Sequence, residues 1–154
     1  MFLGQLPIDG ERHLSAIELK SRQSWAKRVK SLSSKNARRF LEEILDEVEY
    51  KIHTIQTDNG SEFKGYFDKE IDELENTSHV WSYPKSPKTN GYVERFNWTV
   101  QDEFILYELY LAEYDLRLFD QKLAEWVNFY NNVRPHQSLN YKTPNYAVQS
   151  LLTI

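Results

Sequence analysis

The sequence contains no cysteine, which excludes a disulfide framework and any zinc site built on thiolates, and its four histidines are too scattered to suggest a metal-binding spacing. It has no signal-peptide pattern and no long apolar run, so a cytoplasmic protein without membrane spans is expected. It also lacks an excess of positive charge. The net charge of −4 argues against a generic DNA binder, because neutralisation of phosphates dominates nucleic-acid affinity. No second domain and no helix-turn-helix pattern is visible, and 154 residues suffice for one domain, 1–154, with a real core.

What charge there is, however, is segregated. Residues 1–39 carry nine Lys or Arg against three acids, whereas residues 40–80 carry three against twelve. Lys20, Arg22, Lys27, Arg28 and Lys30 surround an expected hairpin strand, Gln23 to Val29. They can form a phosphate track or protect a solvated edge strand.

Two carboxylates stand out. Asp58 lies in Thr57-Asp58-Asn59-Gly60-Ser61-Glu62-Phe63 and Glu94 in Asn90-Gly91-Tyr92-Val93-Glu94-Arg95-Phe96-Asn97, with 35 residues between them. Lys51 to Thr57 is a β-branched run and Asp-Asn-Gly is a turn signal, so Asp58 belongs at a strand exit. Asn90 is a suitable N-cap, and Val93, Phe96, Val100 and Phe104 recur at helical spacing behind it. Glu94 is therefore expected in or near the first turn, with Trp98 and Gln101 on its face. Singly, each acid reads as a turn residue or a helix-dipole partner. Together they can converge on hard divalent cations, which take oxygen ligands and activate phosphodiester chemistry.

The remaining elements alternate. Arg12 to Leu19 and Gln23 to Val29 read as a hairpin, and His79 to Tyr83 as a further strand. Ser34 is the expected cap of a helix whose Ala37, Phe40, Leu41, Ile44, Leu45 and Val48 form an apolar stripe, with Glu42, Glu43, Asp46 and Glu47 mostly on its solvated side. A shorter helix is expected over about Glu62 to Leu74. From Val93 onward the pattern is helical: Phe119, Leu123, Trp126, Val127 and Tyr130 make a second stripe, and Thr143-Pro144 opens a final helix. Tyr107, Tyr110 and Tyr114 are expected to cover the sheet or to form a protomer contact. The fold class is α/β, a mixed sheet flanked by helices with a helical C-terminal part.

Thr57 to Phe63, Trp81 to Asn97 and Phe129 to Pro144, the last with Tyr-Asn-x2-Arg-Pro-His-x-Ser-Leu followed by Thr-Pro, resemble the integrase core of bacterial insertion-sequence transposases, relatives of retroviral integrases. The resemblance implies a ribonuclease H-like fold and an Asp, Asp, Glu triad that uses two Mg²⁺ or Mn²⁺ ions to cut and join DNA ends. Asp58 and Glu94 match the second and third acids. The first acid of the family lies on the first core strand, just ahead of a hairpin. Asp9, in Ile8-Asp9-Gly10, reads as a hairpin turn residue, and Glu18 matches a second-strand position outside the triad. The first acid is therefore expected just upstream of Met1, which would make this a core shortened at its N-terminus.

Further expectations follow from the same resemblance. Lys85 and Lys88, in the loop ahead of the Glu94 helix, are expected to contact DNA, as are Arg95 and Arg134. Trp98 stands where relatives carry a basic residue and can stack on an unpaired base or pack on a neighbouring helix. Arg134-Pro135-His136 can contact DNA or brace the sheet. Partners would be DNA and further copies of the chain. The alternatives are an inactive insertion-sequence remnant and a nuclease of the same superfold acting on RNA–DNA hybrids, the latter disfavoured by the Asn90 to Asn97 and Arg134 to Pro144 blocks.

Overall fold

A computed structural model describes residues 1–8, 10–82 and 87–153, apart from the side chains of Pro7 and residues 87–90. Asp9 and Lys85, and the side chains of Lys88 and Asn90, lie outside the described residues. Strands β1 (Phe2–Ile8), β2 (Glu11–Ile17) and β3 (Ser24–Arg28) run antiparallel in sequence, and β4 (Thr54–Thr57) and β5 (Ser78–Trp81) join parallel to β1, giving the order β3-β2-β1-β4-β5. The sheet is mixed, as expected.

Strand alternation sends successive side chains to opposite faces. Leu3, Leu14, Ala16, Trp25 and Ile55 pack against α1 (Ser34–Glu47) and α2 (Tyr66–Glu73). Phe2, Leu6, Ile8 and Ile17 pack on the other face against α3 (Pro87–Val100) and α5 (Leu116–Asn132). Both expected apolar stripes are in place, and burial of each large side chain contributes about 1.5–3 kcal/mol. Among the described residues no helix is long and apolar enough to cross a membrane.

Several local expectations are corrected. The α1 cap is Ser33, whose Oγ accepts from Asn36 N at 3.4 Å; Ser34 is helical, and its Oγ instead accepts from Phe67 N at 2.9 Å, tying α1 to α2. The segment after Asp58 is a single tight turn, Ser61–Phe63, before α2 starts past Gly65, whose φ of +65° suits a residue without Cβ. Helix α3 begins at Pro87, the favoured first helical residue, so Asn90 is inside it and Glu94 lies in the second turn. It continues through a wide π turn, Gln101–Ile105, into α4 (Leu106–Tyr114). The final helix, α6 (Pro144–Leu152), is capped by Thr143 as read.

Helix α4 differs from expectation in a way that matters. Tyr107, Tyr110 and Tyr114 are 72%, 57% and 81% exposed, so they do not cover the sheet, and Leu111 alone of this helix is buried.

Candidate metal and DNA site

Asp58 follows the last residue of β4. One carboxylate oxygen accepts from Gly60 N at 2.8 Å, fixing the Asp-Asn-Gly turn, and Asn59 Nδ2 donates to Ser82 O at 3.0 Å to anchor that turn to the end of β5. Thr57, on the α1 and α2 face, meets His79 Nε2 at 2.8 Å. The following residue therefore turns towards the α3 face.

The strand register decides what stands next to Asp58. Leu3 pairs with Thr57, so continuing the parallel register brings Gly4 alongside Asp58. A Cβ on Gly4 would meet the Val93 side chain at 3.6 Å, an ordinary contact. Val93 precedes Glu94, so α3 crosses the sheet directly over Gly4 and carries its acid past it. Asn97 holds that crossing: its Nδ2 donates to Gln5 O at 2.9 Å and its Oδ1 accepts from Ser15 Oγ at 2.7 Å. The structure thus brings the Asp58 turn, Gly4 and the Glu94 helix into one neighbourhood.

Glu62 was not singled out as a site residue, although it lies within the quoted Asp58 motif. It is only 3% exposed, accepts from Gln5 Nε2 at 2.6 Å, and lies so close to Gly60 that any side chain there would displace its carboxylate. Asp58 is half-buried, and its carboxyl is raised above the usual range by desolvation, with the Glu62 charge adding to this and the Gly60 N–H opposing it. The donor chemistry here, hard carboxylate oxygens sharing excess negative charge, fits a divalent cation. Among the described residues no group of three His, Asp or Glu side chains is preassembled for one.

The basic candidates separate. Arg28 is committed to Asp120 at 2.7 and 2.6 Å, and Lys27 to Glu43, so this part of the hairpin is structural. Glu18 accepts from Lys20 N, Ser21 N and Ser21 Oγ and holds the turn after β2. Arg134 forks onto Glu103 at 2.9 and 2.5 Å and lies 5.6 Å from the Tyr130 ring centre, bracing α5 against the π turn. Arg95 is exposed and, among the described residues, has no ion pair. Trp98 is 67% exposed, so it does not pack on a neighbouring helix.

A mixed five-stranded sheet of order β3-β2-β1-β4-β5 flanked by helices on both faces is the architecture of the ribonuclease H-like class. Comparison with known proteins agrees. Residues 76–144 match the family model described as an integrase core domain. The fold matches the catalytic core domain of BIV integrase with a TM-score of 0.76 at 17% identity, covering 99% of this chain and 96% of that one. The ORF3 protein of Spiroplasma virus SpV1-C74, provisionally named an integrase, is 33% identical over 115 residues, 67% of this chain and 31% of its own length. The 39.2 kDa protein of insertion element IS476 from Xanthomonas euvesicatoria is 29% identical over 100 residues, 62% of this chain and 28% of its own length. The matched region is thus less than a third of the length of either relative. Over residues 76–144 the chain thus resembles the integrase core family, and as a whole it shares the fold of an integrase catalytic core.

Proposed function

We infer that the chain is the catalytic core of a transposase or integrase that cuts and joins DNA ends, with Asp58 and Glu94 as ligands of Mg²⁺ or Mn²⁺. The observation that carries this is the convergence over Gly4: the Asp58 turn leaves β4 beside it and Val93 of the Glu94 helix packs onto it. Cations held there would supply an activated water or hydroxyl and stabilise the leaving oxygen of a phosphodiester. The chain's own part is to hold Asp58 through Gly60 N–H, to hold Glu62 through Gln5 Nε2, and to fix α3 through Asn97. The raised Asp58 carboxyl is the expected state of an acid awaiting a cation.

The remaining ligand is the open element of this reading. Gly4 offers no oxygen at the place beside Asp58, and Asp9 is the candidate third acid within this chain. The DNA track would comprise Lys85, Lys88, Arg95 and Trp98, with Arg134 as its brace, and copies of the chain would associate through the apolar surface of α4. The second reading, a folded remnant without activity, is favoured by the glycine at position 4.

Titration with Mn²⁺ tests the site: weak binding that is lost in both Asp58→Asn and Glu94→Gln is expected, and binding indifferent to both would sink the assignment. Joining of labelled ends in Mn²⁺ should be undetectable with this chain alone. Robust joining that disappears in Asp9→Asn would make Asp9 the third ligand. DNA binding should weaken steeply with salt, and Lys85→Ala with Lys88→Ala should reduce that slope by up to about two phosphate equivalents.

A further inference from the structure

The flank of α3 turned away from Glu94 opens onto a cleft of about 560 Å³ between the turn after β2 and the Arg134 to Tyr141 loop. That volume lies within the range of about 300–1,000 Å³ typical of small-ligand sites. Its walls include Arg22, Tyr92, Arg95, Thr99, Ser138 and Tyr141, and among the described residues no carboxylate lines it. In a chain of net charge −4, an acid-free cleft with arginines on its walls selects for anions.

Both rims are held in costly backbone conformations. Arg22 has φ +64° and stacks its guanidinium 4.2 Å from the Tyr92 ring centre, while Tyr141 has φ +61° and is 70% exposed. Residues other than glycine rarely take this conformation, and such strain gathers at ligand clamps. Here it presents an arginine and an aromatic ring to the same space. Tyr92, at 44% exposure, keeps part of its ring open, and Arg95 has no competing ion pair among the described residues.

Arg22 donates to Leu19 O but neither it nor Arg95 has a carboxylate partner among the described residues, and flat rings beside such guanidinium groups match one ligand chemistry: a planar base attached to a phosphate, displayed without its partner strand. Resting on the DNA reading above, we propose that this cleft binds an unpaired nucleotide of a DNA strand, its base against Tyr92 or Tyr141 and its phosphate at Arg95 and Arg22. A base within a duplex is stacked on both faces and paired at its edge, so the cleft distinguishes an unpaired nucleotide from a paired one. The site lies on the opposite flank of the helix that carries Glu94, and it holds DNA without taking part in phosphodiester chemistry.

The test is fluorescence anisotropy with a labelled blunt duplex and with the same duplex carrying a short thymidine overhang, at one fixed salt concentration. The overhang should tighten binding by about tenfold, within the range of base stacking on an aromatic side chain. That ratio should fall to near one in Tyr92→Ala combined with Tyr141→Ala and be retained in Tyr92→Phe, with circular dichroism confirming that each variant is folded. Equal affinity for the two duplexes, a ratio unchanged in the double variant, or a stronger preference for an RNA overhang would overturn the proposal. Blunt-duplex binding without overhang preference overturns the cleft alone, whereas failure to bind either duplex overturns the DNA reading with it.

Discussion

Gln5 Nε2 donates to Glu62 Oε1 at 2.6 Å, joining the strand that runs beside Asp58 to the turn that follows it. Through this bond a buried carboxylate stays close enough to Asp58 to act on its titration. Desolvation is the largest cause of the raised Asp58 carboxyl, and the Glu62 charge adds to it. Replacing Glu62 by Gln keeps the volume and removes the charge. Asp58 should then titrate lower than in the parent, as followed by carboxyl carbon chemical shifts. An unchanged titration would leave burial as the sole cause.

Gly4 makes a second prediction. A Cβ there would make only ordinary contacts with Phe2 and Val93, and the backbone is an ordinary strand, so Gly4→Asp should fold. A carboxylate beside Asp58 should tighten Mn²⁺ binding by about tenfold or more, because divalent ions are held through the number of charged oxygens around them. Calorimetric titration reads this directly. No gain would place the third ligand elsewhere.

His13 ties stability to pH. It is 1% exposed, neither ring nitrogen meets a well-formed hydrogen-bond partner among the described residues, and Phe119 meets its ring edge-on at 5.7 Å. Burial lowers its pKa from 6.5 to about 4, with Arg28 reinforcing the shift and Asp120 and the Glu11 backbone opposing it. The unfolded chain therefore binds the proton more readily. This stabilising contribution is complete above about pH 6.5 and is lost as the pH falls towards 4, amounting to about 3 kcal/mol in all. Urea unfolding of the wild type should weaken across that window more steeply than that of His13→Leu. Parallel curves would remove His13 as the cause.

Asn131, within the Tyr-Asn-x2-Arg-Pro-His block, behaves as a piece of strand. Its Oδ1 accepts from Ser24 N at 3.0 Å and its Nδ2 donates to Ser24 O at 2.8 Å, so a helix side chain satisfies both backbone groups of an edge residue. Asn131→Ala leaves that pair buried and unmet, and should cost about 2–3 kcal/mol, or about 4–12 °C in Tm for a domain of this size. Faster hydrogen exchange at the Ser24 amide would locate the loss. An unaltered melting temperature would show that water replaces the amide.

The elements whose signals are local were legible. Asp58 at a strand exit, the α1 and α5 stripes, and Thr143-Pro144 all stand where spacing and turn chemistry put them. Errors arose where two local signals competed: adjacent serines at the α1 start, and Pro87 against Asn90 at the α3 start. The exposure of Tyr107, Tyr110 and Tyr114 could not be read, because an apolar helix does not say how many of its sides find a partner. Gly4 and Glu62 stayed hidden for a different reason. What places them at Asp58 is the pairing of β1 with β4 and the Gln5 bond, contacts between residues more than fifty positions apart.

The bond pair from Asn131 to Ser24 also limits how the sheet can grow. β3 is the outer strand on its side, and an open outer strand invites a foreign chain to add on. At Ser24 that invitation is withdrawn, because the groups an incoming strand would need are already taken by α5. Neighbouring copies that meet on this side must do so through side chains, and a chain seeking backbone pairing at that point finds the sheet closed.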